Sequence, residues 1–347
     1  MKSSDIYAML KTIHFTLVNG KSLSSGVELL YKTTKNKKDK KLYKKIYGDI
    51  KDGLSFSQSL SKHRVGTKDS VAFVSMAEKS LSFRNALGRL LKFMESKREF
   101  ERESNEKTTV PFIYLFIVSI VVIAMRFFVV PYQIAESKSL SDQVYGLVAD
   151  HLAFSMVMNN ALFILLAVTV SYFLILMLAL FSKNYHAKEL FSAVAMKLPF
   201  ASNIIMQFEK FVILNMLGEM MKSGISFKAS LRAAISSTTI SKFKRAFESD
   251  LESIRTKGEL SYDPLLFDDI DRSLFVGVGT LDQVGSIMIE VSNKARDKAL
   301  ELSGKFFRLI IAISIFLMAF AVFIEFYTVV LTQLIIQKGL VDLAKGL

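Results

Sequence analysis

Three long apolar runs stand out of an otherwise polar chain, at 112–130, 161–181 and 309–336. The first (FIYLFIVSIVVIAMRFFVV) carries one charge, Arg126. The second (ALFILLAVTVSYFLILMLALF) carries none, and the third is interrupted once, by Glu325. About 20 apolar residues carry a helix across the hydrocarbon of a bilayer, so the runs predict transmembrane helices over 111–131, 161–181 and 306–336. The 28 residues of the third run make roughly 42 Å of helix at 1.5 Å per residue, which calls for tilt or a protruding end. Outside these runs few alternating β-branched stretches occur, and Gly and Pro number only 16 and 4. Helices are expected there too.

The expected fold is therefore an all-α membrane protein. A helical bundle over 1–110 precedes the first span, a short loop over 132–160 joins the first two, a second bundle occupies 182–305, and a tail over 337–347 follows the third span.

Composition sharpens this picture through segregation. The 347 residues are 51% hydrophobic yet carry a formal charge of +13. Residues 1–110 hold 23 Lys and Arg and residues 182–305 hold 17, whereas 131–160 has Lys138 alone beside Glu136, Asp142 and Asp150. Basic flanks mark the cytoplasmic side of a span. Arg98, Arg102 and Lys107 precede the first, Lys183 and Lys188 follow the second, and Lys305 and Arg308 precede the third. This predicts a cytoplasmic N-terminus, both bundles in the cytoplasm, and the short loop and C-terminal tail outside. The first 26 residues have no long apolar core and read as mature protein rather than a secretory signal. Zero Cys excludes disulfides, thiolate nucleophiles, iron–sulfur clusters and Cys-based zinc sites.

The two basic regions read as diverged copies of one unit. Gly20-Lys21-Ser22-Leu23 in the first matches Gly224-Ile225-Ser226-Phe227 in the second, and Gly53-Leu54-Ser55 matches Gly258-Glu259-Leu260-Ser261. Each copy then has a short apolar helix, a turn (Ala77-Glu78; Gly279-Thr280), a long charged helix and a span. A Gly that ends a helix takes the left-handed conformation, and a Ser shortly after accepts from the free N–H groups of the next helix. Gly-x-Ser thus predicts a tight helix-to-helix corner whose first role is capping and packing. The unpaired middle span returns the second copy to the side of the first.

This order of corners, late Gly/Glu turn and span, repeated around an extra span over about residues 5–336, resembles the inner-membrane platform proteins: the F components of type II secretion and their type IV pilus assembly counterparts. The short length is similar to the platforms of type IVb pili, the toxin-coregulated and bundle-forming kinds. The family's Gly-Glu turn is half kept in each copy, as Ala77-Glu78 and Gly279-Thr280. The resemblance implies a non-enzymatic homo-oligomer that sits on a cytoplasmic hexameric motor ATPase. It would pass pilin subunits into a growing fibre beside other inner-membrane pilus assembly proteins. A type II secretion platform is the near alternative, and a membrane subunit of an ATPase-driven transporter a more distant one.

Candidate sites follow from charge. Arg126 lies 19 residues after Lys107 and Glu325 lies 17 after Arg308, which puts both roughly 25 Å from the cytoplasmic flank. They can pair within a subunit or across an interface, or Arg126 can snorkel to the outer surface. Glu325 can also receive a charged group of an entering pilin helix. Lys35 and the run Lys37, Lys38, Lys40, Lys41, Lys44 and Lys45 suit anionic membrane lipids, an acidic motor face or plain solvent. Nucleic acid is not expected as a partner, since no recognition fold or aromatic platform accompanies the lysines.

Cofactor and metal chemistry find no support. Asp269-x-Asp271-x-Ser273 is followed by Leu274 where a calcium loop needs Gly, so Asp263, Asp268, Asp269 and Asp271 read as helix-start charge and a docking surface. Gly277-Val278-Gly279 misses a dinucleotide fingerprint, and the sequence has no Walker A loop. His14, His63, His151 and His186 make no ligand spacing.

Overall fold

The computed structural model describes residues 3–80, 82–140, 142–182, 185–257 and 262–345, and among them every regular element is helical. In chain order these are α1 (Ser3–Val18), α2 (Leu23–Thr33), α3 (Lys37–Lys51), α4 (Phe56–Lys62), α5 (Lys68–Ala77) and α6 (Phe83–Ala124). A π-helical segment, Met125–Val129, leads into α7 (Val130–Leu140), followed by α8 (Asp142–Phe181), α9 (Tyr185–Ala195), α10 (Ala201–Lys222), α11 (Phe227–Ser237), α12 (Ser241–Lys257) and α13 (Asp269–Ser273). The last are α14 (Leu281–Phe326), a second π segment (Tyr327–Leu331) and α15 (Thr332–Lys345). Among the described residues three stretches are long and apolar enough to cross a membrane: Phe83–Leu140, Asp142–Phe181 and Leu281–Val341.

The chain divides into two compact units. The first joins residues 1–103 with 178–302, and the second joins 104–177 with 303–347.

In the first unit the regions expected as separate bundles share a single core. Helix α5 of the first region packs on α11 of the second and also touches α10. Phe100 of α6 sits between Phe208 and Phe211 of α10, with ring centroids 5.0 Å away in both cases. Phe73 and Phe93 stack at 6.3 Å in the same fully buried set as Phe56, Phe243 and Phe247. Aromatic side chains bury more apolar area than any others, so rings drawn from both regions bind them into one body.

Helices α10 and α14 approach each other closely at a pair of glycines. A Cβ on Gly218 would stand 2.6 Å from the Gly285 carbonyl oxygen, and one on Gly285 would stand 2.8 Å from the Gly218 oxygen.

In the second unit each span turns one stripe inward: Val118, Val122 and Met125; Leu162 and Leu166; Leu317, Ala321 and Ile324. These recur at i, i+3 and i+4, as one helix face requires, while Phe116, Ile120, Val168, Phe316 and Phe323 remain exposed, as lipid-facing side chains do. The described residues of the stretch 132–160, expected as a short loop, are instead helical, within α7 and α8. Val144, Val148 and Leu152 recur every four residues and pack with Ile336 and Ile134. The 40 residues of α8 amount to about 60 Å of helix, roughly twice the hydrocarbon thickness. The tail expected from 337 likewise continues as helix, in α15.

Candidate functional site

The glycine corners are helix terminators. Gly20, Gly53 and Gly224 have φ of +75°, +89° and +84°, a left-handed region open to glycine without the Cβ penalty. After them Ser22, Ser55 and Ser226 accept from the backbone N–H of Ser25, Gln58 and Ala229, each at the start of the following helix. Gly258, with Glu259, Leu260 and Ser261, lies outside the described residues. Gly279 does not terminate a helix; its N–H donates to Gln283 Oε1 within the entry turn of α14.

At the Ala77-Glu78 turn Ala77 is fully buried, and Glu78 reaches back 21 and 22 residues. Its carboxylate accepts from the backbone N–H groups of Phe56 and Ser57 and from the Ser57 hydroxyl. These are first-turn groups of α4, which lack intrahelical partners, so Glu78 caps a helix that is remote in sequence. Glu209 plays a related part in the second region, accepting from Thr239 N–H and from the hydroxyls of Thr238 and Thr239 at the α11–α12 connection. Glu78→Ala leaves three part-buried donors without their acceptor and is expected to lower stability by about 2–3 kcal/mol. Lys244→Ala, on an exposed face of α12, is expected to change it little. Thermal melts in detergent followed by circular dichroism check the difference.

The first unit is also crossed by ion pairs that the sequence did not announce. Lys97 donates to Asp69 at 2.6 Å, and both side chains are largely buried. Burial pushes the Asp69 carboxyl up, but the Lys97 charge and hydrogen bonds from Lys97 and Thr67 outweigh it and hold the group near about 2. Burial lowers Lys97 as Asp69 and Glu101 raise it, and the net direction is upward. Among the pairs that join the regions directly are Arg89 with Glu219 at 3.3 Å and Arg296 with Glu103 at 2.5 Å. Desolvation raises the Glu219 carboxyl even against the pull of Arg89. Asp49 accepts from Lys62, Ser59 and His63, and with Lys62 first among the causes it is held at about 2. The one clue in the sequence was the presence of Glu209 and Glu219 inside the apolar run of α10.

The lysine run falls on α3, whose inner face is Tyr43, Ile46 and Asp49. Lys37, Lys38, Lys40, Lys41, Lys44 and Lys45 are all exposed on the other side, a surface equally open to solvent, headgroups or an acidic partner. The acidic run is structural. Asp268 and Asp271 form a reciprocal capping box at α13, and the buried Asp271 carboxylate also takes Lys294 at 2.9 Å and Lys210 at 3.6 Å.

The intramembrane charges are not brought together within the subunit. Arg126 is half-buried with its guanidinium 5.8 Å from the Phe127 ring centroid, Glu325 is exposed, and among the described residues no ion pair joins them. The reason is rotational. Each follows a core-facing residue, Met125 and Ile324, and one step along a helix turns a side chain about 100° away. The sequence also gave no sign of the π-helical segments. These wide turns, frequent at functional sites, begin at Met125 in the first span and Tyr327 in the third. Tyr327 hydroxyl and His151 Nδ1 lie 2.8 Å apart. His151, Ser155 and Asn159 follow one another at helical spacing on α8, and the buried polar atoms of Ser155 and Asn159 have no hydrogen-bond partner among the described residues.

Comparison with known proteins fits this arrangement. Residues 9–131 match the family described as Type II secretion system (T2SS), protein F. A stretch of 94 residues is 30% identical to the type IV pilus assembly protein PilC of Thermus thermophilus, covering 27% of this chain and 23% of that protein. Both matches support the resemblance to the type II secretion F and type IV pilus platform family. Among the described residues three helices are long and apolar enough to cross a bilayer, as a multi-pass membrane protein requires.

Proposed function

We propose that the chain is a non-enzymatic platform of type IV pilus assembly. In this reading it couples a cytoplasmic hexameric motor ATPase to the insertion of pilin subunits into the fibre, working as a homo-oligomer beside other inner-membrane pilus proteins. One observation carries the reading: the regions on either side of the first two spans share an aromatic core and cross-region ion pairs. A shared core requires both regions to lie in one aqueous compartment, and the basic flanks favour the cytoplasm. The N-terminus is then cytoplasmic and the C-terminus periplasmic. The product is a basic body on the motor's side of the membrane, suited to receive the motor.

The two regions are read as homologous repeats, and the α3 lysines as a contact for the motor or for anionic lipid. With no Walker A sequence, ATP hydrolysis falls to the partner. A type II secretion platform uses the same physics and differs in the pilin-like cargo.

Purification of the detergent-solubilised chain from its native cells tests the reading. Recovery of a cytoplasmic ATPase with pilin-like subunits is expected; recovery of a periplasmic solute-binding protein would favour a transporter instead.

Glu325 lies exposed on the third span beside Val322, Phe323 and Phe326, where an unpaired carboxylate costs about 2.5–3.5 kcal/mol. It is read as an interface charge for Arg126 of a second copy, or for a charged group of a pilin helix. Under the first version, Arg126→Glu with Glu325→Arg restores piliation lost in either single variant. A double exchange no better than the singles rejects that version.

A further inference from the structure

The helix that follows the second span presents an unpartnered apolar face. One side of α9 packs on α10: Ser192 and Ala195 are buried, and Lys188 pairs with Glu209 at 3.5 Å. The other side shows Leu190 at 62% and Val194 at 41% exposure, one turn apart. Just beyond the helix, Phe200 stands 63% exposed with φ +62°. With ψ −44° and the Ala201 N–H donating to the Pro199 carbonyl at 2.7 Å, Phe200 sits at the centre of a positive-φ γ-turn, which is rare and strained, so both backbone strain and ring exposure at Phe200 oppose folding in water. A medium that accepts the ring removes the second of these costs.

We infer that Leu190, Val194 and Phe200 are embedded in the cytoplasmic leaflet, so that α9 is an interfacial anchor lying along the membrane surface. Chain continuity selects lipid over another occupant. Apolar α8 ends at Phe181 and α9 begins at Tyr185, a tether that reaches at most roughly 14 Å when extended. The start of α9 is thereby confined to the interfacial zone of the leaflet that the second span leaves. An amphipathic helix there buries its apolar face about 5–10 Å into the boundary between headgroups and acyl chains. Exposed Lys197, between α9 and Phe200, is placed to meet an anionic headgroup, while Glu189, one position before Leu190, is exposed and must stay on the water side.

The chain contains no tryptophan, so Leu190→Trp, Val194→Trp and Phe200→Trp each give a single reporter in the full-length protein. Each variant is reconstituted in nanodiscs of phosphatidylethanolamine and phosphatidylglycerol that include lipids brominated high on the acyl chain. Leu178→Trp, on the exposed face of the span, is the lipid-contact reference, and Lys244→Trp is the aqueous one. Emission at Leu190→Trp, Val194→Trp and Phe200→Trp is expected to be quenched by brominated lipid several-fold more than at Lys244→Trp, approaching Leu178→Trp, and to be shielded from iodide. Quenching by iodide at the level of Lys244→Trp would show a solvated face and overturn the inference. Protection from both quenchers would overturn it equally, by showing that protein covers the face. Matching thermal melts across the variants exclude misfolding as the cause.

Discussion

An Asp69→Asn chain is expected to lose about 3–5 kcal/mol of stability, the usual cost of stranding one partner of a buried ion pair. The Lys97 ammonium would keep its burial and lose the carboxylate 2.6 Å away that makes burial tolerable. Removing both charges together, with Asp69→Leu and Lys97→Met, is expected to cost much less than the single change, because the desolvation burden disappears with the attraction. A double variant as unstable as Asp69→Asn would mean that the pair matters through shape rather than charge.

The same pair sets an acid signature. The Asp69 carboxyl is held at about 2 in the folded chain and near about 3.9 when unfolded. Its folded value is the lower, so its contribution is complete above about pH 4–5 and is lost as pH falls towards about 2. Wild-type melting temperature should fall steeply over that window and that of Asp69→Asn more gently, with Asp49, also held at about 2, supplying the decline that remains. Parallel curves for the two proteins would contradict the assignment.

The second large effect is steric. A Cβ at Gly285 would meet the Gly218 carbonyl oxygen and Lys222 Cγ at 2.8 Å, and one at Gly218 would meet the Gly285 oxygen and Ile289 Cγ1 at 2.6 Å. A flexible side chain can swing away, but a carbonyl oxygen in a packed helix cannot, so α10 and α14 must separate. Gly218→Ala or Gly285→Ala is expected to lower stability by about 1–3 kcal/mol, and Gly285→Leu by more. Gly48 is the control. It lies within α3 with open space around its Cβ position, and Gly48→Ala is expected to stabilise by about 0.5–1 kcal/mol through helix propensity. Melting of the four variants in one detergent decides. Equal shifts at Gly48 and Gly218 would mean that propensity alone governs both, and that the close crossing has no energetic weight.

Such contrasts show what the sequence could and could not carry. The spans were legible because an apolar run of some twenty residues has few other uses. The corners were legible because Gly20, Gly53 and Gly224, each followed two residues later by Ser, describe a local event, a helix ending and another being capped. The stretch 132–160 was misread because Glu136, Lys138, Asp142 and Asp150 drew attention away from Val144, Val148 and Leu152, a helical stripe visible in hindsight. What joins the two regions was not legible. Phe100 meets Phe208 and Phe211 across more than a hundred residues, and in one sequence a phenylalanine announces burial but not its neighbour. The ion pairs fail for the same reason: Glu219 within an apolar helix signals a partner without naming Arg89. Gly218 and Gly285 sit inside helices where glycine is unfavourable, a hint of close packing that needs a second helix to interpret. For Glu325 depth along the span was readable, but the angle around it, which sets what the carboxylate meets, depends on how three helices pack.

The same-side placement of the two basic regions is tested most directly by their accessibility. The chain has no cysteine, so Lys40→Cys, Lys244→Cys and Asp142→Cys each provide one reactive thiol at an exposed position. A membrane-impermeant maleimide applied to intact spheroplasts should label Asp142→Cys and spare the other two. Applied to inverted vesicles, it should label Lys40→Cys and Lys244→Cys together and spare Asp142→Cys. Labelling of Lys40→Cys and Lys244→Cys from opposite faces would contradict the shared core, and with it the account of a single cytoplasmic body.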